Sequence, residues 1–263
     1  KSRCGSWILP TGFPREAMAI IITTTEPEAP METRDRKKEF LLLQMNDSLF
    51  PIGGYSHSYG LETYIQKGIV HDLHSAGEYI RNRLETSFLY SDLLSLRLAG
   101  EAAGQGDLDA LEELEDQMDA SKIPAEIRDA SRKLGNRFAK TLLHMNPEYG
   151  KGFFGCYLSR RKGKSVSHPC AYGVFCACAG IAPGDAMAGF LYAQTSAMVT
   201  NCVKTIPLSQ SDGQELLYGL YPFLEQVLKR AADCGPEMLG ASAPGFDLRS
   251  IQHEHLYSRL YMS

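Results

Sequence analysis

Ser75-Ala76-Gly77-Glu78-Tyr79-Ile80-Arg81-Asn82-Arg83-Leu84-Glu85-Thr86-Ser87-Phe88-Leu89 is the stretch whose reading decides the fold class. Tyr79, Ile80, Leu84, Phe88 and Leu89 are spaced for one face of a helix. Ser75 and Glu78 form an S-x-x-E pair just before that face. Such a pair reads as a capping box, in which the hydroxyl and the carboxylate each satisfy a free N–H of the first turn. A helix with one apolar stripe needs other helices or a sheet to cover it.

The sequence on either side supplies helices. Gly104 and Gly106 interrupt the pattern, and Leu108 to Met118 resumes it as a short acidic helix. Pro124 suits a first helical turn. After it, Ile127, Ala130, Leu134, Phe138, Leu142 and Met145 fall three or four apart until Pro147. Asp185 is placed to cap a helix whose inner stripe is Met187, Leu191, Gln194, Met198 and Cys202. Asp212 and Glu215 make another cap pair, followed by Leu216, Leu217, Leu220, Phe223, Leu224, Val227 and Leu228. Pro222 lies inside that run and is expected to kink or split it. Period-two strand patterns are nearly absent. The prediction is an all-α fold, a single compact helical domain of about eight to ten helices over residues 39–250. Residues 1–38 carry Pro10, Pro14, Pro27 and Pro30 without a helical period, and read as a flexible extension. Residues 1–17 are expected to be partly expression-derived, and 251–263 to form a C-terminal tail.

Composition narrows the function classes. The chain has 263 residues, 44% of them hydrophobic, enough for one sizeable core. With 27 basic and 31 acidic residues the net charge is −4, which gives no general drive toward nucleic acid or anionic membrane. Arg34 to Lys38 and Arg160 to Lys164 are basic runs, and Asp107 to Asp119 is acidic; all three read as solvated faces. No apolar run reaches the roughly 18–20 residues of a membrane span, so a cytoplasmic protein is expected. Seven cysteines at irregular spacing do not suit a secreted disulfide framework. Most are expected to be buried, reduced thiols.

Motifs for chemistry are missing. Gly163-Lys164-Ser165 lacks the glycine that a phosphate loop needs five residues earlier, where Leu158 stands. His253-Glu254-His255 is not H-E-x-x-H, and Cys176-Ala177-Cys178 is not C-x-x-C. No G-x-S-x-G setting exists for a hydrolase nucleophile. No enzyme activity and no metal site are expected, with Cys234, His253 and His255 as weak metal candidates only.

Five blocks, in order, carry a family resemblance. Asn46-Asp47-Ser48-Leu49-Phe50-Pro51-Ile52-Gly53-Gly54-Tyr55-Ser56-His57-Ser58-Tyr59-Gly60-Leu61-Glu62 resembles the opening signature of UreF-type urease accessory proteins. Arg128 to Arg137 is similar to a helix of that family, and His168-Pro169 with Ala171-Tyr172-Gly173 resembles its H-P-x-x-Y-G block. Asn201 to Gln214 is similar to N-x-V-K-x-x-P-L-x-Q-x-D-G-Q, and Gln252 to Ser263 resembles the family tail. The resemblance covers about Phe40 to the last residue.

The resemblance implies an all-α homodimer without catalytic residues or a cofactor of its own. It implies binding to a UreD/UreH-type scaffold protein. It further implies recruitment and control of the UreG-type GTPase, which alone holds GTP, and delivery of nickel to apo-urease. Some relatives carry an H-x-C pair before the tail; the corresponding Pro236-Glu237-Met238-Leu239-Gly240 lacks it. That departure argues against direct nickel binding by this chain; a direct nickel carrier is the alternative reading, with nickel bound only transiently. Tyr192 matches a tyrosine that the family associates with the GTPase, but Ala188 and Gly189 stand where relatives carry a basic neighbour.

The same residues have a physical reading. Gly53, Gly54 and Gly60 permit a tight bend, and Tyr55, His57, Tyr59 and Glu62 surround it with hydrogen-bonding groups, which by themselves suit a packed loop; the resemblance makes these four partner-binding candidates. His57 is either a satisfied structural histidine or a surface contact. Lys204 reads physically as a cation at a helix C-terminus; the resemblance makes it and Asp212 the candidates for coupling to the GTPase. In the tail, His253, Glu254, Tyr257 and Arg259 suit an anchor on a partner. The tail is expected to become ordered against the scaffold protein.

Overall fold

Helix signals become twelve α-helical segments in the computed structural model, which describes residues 35–241 and 243–263. They are α1 (Arg36–Asn46), α2 (Leu61–Gln66), α3 (Leu73–Arg83), α4 (Leu94–Gln105), α5 (Leu108–Ser121) and α6 (Ala125–Met145). There follow α7 (Phe153–Arg160), α8 (His168–Cys178), α9 (Pro183–Thr205), α10 (Gln210–Gly219), α11 (Tyr221–Asp233) and α12 (Pro244–His253). No strand occurs among the described residues, so the fold is all-α as predicted. The count exceeds expectation in part because α2, six residues between Gly60 and Lys67, is too short to show a period. Arg36–Ser263 forms one compact unit, so the helical body begins before residue 39 and includes the tail. The expected extension falls mostly on residues 1–34, outside the described residues.

Three helix starts are corrected by one turn, all in the same direction. The N-cap of α3 is Asp72, whose carboxylate accepts from Ser75 N at 2.8 Å while Ser75 Oγ accepts from Asp72 N at 3.1 Å. The N-cap of α10 is Ser209, whose hydroxyl accepts from Asp212 N at 3.1 Å while Asp212 Oδ2 accepts from Ser209 N at 2.7 Å. In α9, Ala182 is the N-cap, Pro183 opens the helix and Asp185 sits in the first turn. Ser75, Asp185 and Asp212 are therefore first-turn residues and not caps. Acidic and hydroxyl groups are favoured in both places, at the cap by its free N–H groups and in the first turn by the helix dipole. Pro222 splits its run as predicted, standing in the first turn of α11.

Between α3 and α4 the chain stays helical but widens into a π segment, Leu84–Leu93. The apolar spacing accounts for it. Leu84, Phe88, Leu89 and Leu93 are all buried. At about 3.6 residues per turn, Leu84 and Leu93 would point to opposite faces. Bonds from i to i+5 put more residues in each turn and return all four to the core.

At the centre lies α8, buried from His168 to Cys176. Glycine sets its approach to two neighbours. A Cβ on Gly173 would collide with Leu96 O of α4, and one on Gly135 of α6 with Val166 O. Phe138 is fully buried, with ring contacts to Phe50, His168, Tyr172 and Phe175. Burial pulls the pKa of His168 down to about 4. The Tyr172 hydroxyl accepts from Asn46 Nδ2 at 2.7 Å.

The charged runs of α5 and 160–164 are not independent solvated faces. Arg160 pairs with Asp109 and Glu112, Arg161 with Asp116, and Lys164 with Glu112 and Asp116. Cys170, Cys176 and Cys202 are buried thiols, whereas Cys156 and Cys178 are exposed. No helix among the described residues is long and apolar enough to cross a membrane.

Candidate functional site

The bend 53–60 is built from left-handed backbone. Gly53 and Gly60 both have φ +83°, and Tyr59 has φ +56°. Gly60 is required twice over, since a Cβ there would stand 2.8 Å from Ser250 Oγ and 3.1 Å from Ser250 Cα on α12. Tyr59 pays for its left-handed φ with about 1–2 kcal/mol of strain. Arg83 holds it, donating to Tyr59 O at 2.9 Å with its guanidinium 4.5 Å from the ring centroid. Burial raises the pKa of the Tyr59 phenol to about 12.

Residues 260–263 close over this bend. Ser263 O accepts from Ser58 N at 2.6 Å, Tyr59 N at 2.8 Å and Ser58 Oγ at 2.8 Å. Met262 N donates to Ser56 O at 2.8 Å, and His57 Nδ1 lies 2.8 Å from Ser263 Oγ. Glu62 then fastens the tail from beneath: its oxygens accept from Leu260 N at 2.7 Å and Tyr261 N at 3.0 Å. The same carboxylate faces His253 Nε2 at 3.0 Å. On the other side of the ring, His253 Nδ1 faces Glu126 Oε2 at 2.7 Å, and Arg259 donates to Glu126 Oε1 at 2.5 Å. From α9, Asn201 Nδ2 donates to His57 O at 3.0 Å. His253 is fully buried and Glu62 is 6% exposed, so these groups depend on one another for satisfaction.

The predicted residues divide clearly. His57, Tyr59, Glu62, His253 and Arg259 meet in this junction. Of the two readings of His57, the structural one describes it here. It is buried, and burial followed by the nearby Lys133 and Arg137 lowers its pKa. Tyr55 lies in the turn Gly54–Ser56, its side chain outside the described set. Glu254 caps the end of α12. Tyr257, Leu260 and Met262 point outward from the docked tail.

The others stand apart. Tyr192 is half-exposed on α9, with Tyr221 and then Tyr218 beside it in ring contact. Lys204 is exposed in the last turn of α9 and makes no ion pair among the described residues, while the carboxylate of Asp212 is engaged by Ser209. That bond to the Ser209 backbone, then the one to its hydroxyl, lowers the pKa of Asp212. Among the weak metal candidates, both ring nitrogens of His253 face carboxylates, His255 is exposed and Cys234 is partly buried. No group of three or more His, Cys, Asp or Glu among the described residues is placed to hold a metal ion.

Four contributors escape the sequence reading: Arg83, Glu126, Asn201 and Ser263. Arg83 had a visible signal, a cation between Ile80 and Leu84 on the inner face of α3. Asn201 lay inside a quoted block. Ser263 likewise lay inside the quoted tail block, but nothing local marked Glu126, whose partner His253 is more than a hundred residues away.

Comparison with known proteins shows the family. The sequence model of the UreF family matches residues 70–221. A urease accessory protein UreF of Actinobacillus pleuropneumoniae serotype 5b is 36% identical over 222 residues, 84% of this chain and 97% of its own. The protein of that name from Haemophilus influenzae PittGG is 36% identical over 224 residues, covering 84% and 94%. A third, from Bacillus sp. TB-90, is 34% identical over 229 residues, covering 84% and 97%. An all-α body, the signature bend and matches along nearly the whole length of these relatives lead to one conclusion: the chain belongs to the UreF family of urease accessory proteins.

Proposed function

We propose that the chain is a non-catalytic, homodimeric adaptor of urease maturation. It binds a UreD/UreH-type scaffold protein through the face formed by the bend and the docked tail. It then recruits and regulates the UreG-type GTPase that serves nickel insertion into apo-urease, in the cytoplasm. Nickel and GTP are handled by the assembled complex, and neither is a resident group of this chain.

The supporting observation is the docked tail itself. Its polar atoms are engaged inward by Glu62, Glu126 and the bend, while Tyr257, Leu260 and Met262 stay exposed. An aromatic and two aliphatic side chains on a held backbone suit anchors for a partner, because little ordering entropy remains to be lost. The test is co-expression with the scaffold protein. Removal of 251–263, or Leu260→Asp in the full chain, is expected to abolish co-purification and urease activation. Full activation by both variants sinks the proposal. Lys204→Ala is expected to leave scaffold binding intact and to alter activation.

A further inference from the structure

Helix α6 borders the bend and the tail, and its cations are not treated alike. Arg128 donates to Lys122 O, and Arg132 pairs with Asp119. The next three, Lys133, Arg137 and Lys140, form an exposed row at i, i+4 and i+7. None of them makes an ion pair or a side-chain hydrogen bond among the described residues. Several other exposed cations are matched: Arg160 and Lys164 by the acids of α5, Arg230 by Glu85, and Lys151 by Glu148. Exposed lysines without an ion pair among the described residues, such as Lys67, Lys162, Lys204 and Lys229, lie singly on different segments. In a chain of net charge −4, α6 thus keeps a row of three cations uncompensated among the described residues.

Its position gives the row a meaning. The Arg137 guanidinium lies over Gly53, in the space a Cβ would fill. The charges of Lys133 and Arg137 reach His57 beneath the tail. Glu126, on the first turn of the same helix, holds His253 and Arg259. The row is therefore continuous with the face that exposes Leu260 and Met262. An apolar centre bordered by unmatched cations complements a partner surface with an acidic border.

We infer that Lys133, Arg137 and Lys140 form the electrostatic edge of the docking face, and that the protein seated on the tail carries an acidic segment opposite α6. The inference rests on the proposed docking reading and adds the chemistry of the partner. Border charges of this kind act on association rate and salt dependence more than on fold.

The test measures binding of the co-expressed scaffold protein to the full chain at about 50 and about 300 mM salt. Wild-type affinity is expected to fall roughly tenfold or more across that range. Lys133→Glu with Lys140→Glu, which leaves Arg137 on the bend, is expected to weaken binding roughly tenfold at low salt and to remove most of the salt dependence. Thermal stability should not change. Wild-type binding indifferent to salt, or a double variant within about twofold of wild type, overturns the inference. So does a row that governs retention on heparin or anionic vesicles but not on the scaffold. Failure of the docking reading shows separately, as Leu260→Asp binding like wild type.

Discussion

The α8 core and the junction of bend and tail are both buried, and they are held by different forces. Around α8, glycines let backbones meet and rings fill the space, so each contact is small and non-directional. At the junction, Glu62 and Glu126 satisfy ring nitrogens, a guanidinium and two backbone N–H groups from the tail. Losing one atom from the first region leaves a hole. Losing one from the second leaves a buried polar group unsatisfied, which the tail can relieve by lifting away. The core therefore sets global stability, and the junction sets whether one segment is docked.

The strongest test of that division is Phe138→Ala. It removes a fully buried ring with four aromatic neighbours and is expected to lower unfolding free energy by about 3–5 kcal/mol, read by denaturant titration. Next comes pH. His168 has a folded pKa near 4 because burial disfavours its charged form, against 6.5 when unfolded. The unfolded chain thus binds more protons between those values. The stabilising contribution is complete above pH 6.5 and is lost as pH falls toward 4, with a span of about 3 kcal/mol. His168→Phe is expected to flatten that part of the stability curve; an unchanged slope contradicts the assignment. Smallest in global effect is Glu62→Ala, expected to cost about 1–3 kcal/mol. Its mark is local: amides of Leu260 and Tyr261 should lose protection from hydrogen exchange while those of α8 keep it. Loss of protection in both regions together would mean that they are not separate.

What the sequence made legible follows from the same division. The α6 stripe and the Pro222 break are local patterns, and each is found where its period or its missing N–H puts it. Helix starts slipped by a turn because Asp and Ser serve equally at the cap and inside it, as Asp72 and Ser75 do together. The π segment was hidden because its spacing still looks helical when the period is assumed to be 3.6. In the site, glycines and polar residues marked the bend, but a resemblance and not physics suggested that the bend mattered. The acceptors for the tail were illegible, since Glu126 looks like any first-turn acid until His253 arrives beside it.

The reach of the junction along the chain gives it a place in time. Ser58 is bonded to Ser263 across 205 residues, and Glu62 to Tyr261 across 199. During synthesis the bend emerges early, and residues 260–263 can close it only after they too have left the ribosome. Helices α3 to α9 can already be assembled by then, because their contacts are nearer in sequence. Closure of the bend is thus a late event of synthesis, and a chain stalled or cut short of residue 260 would present the open bend.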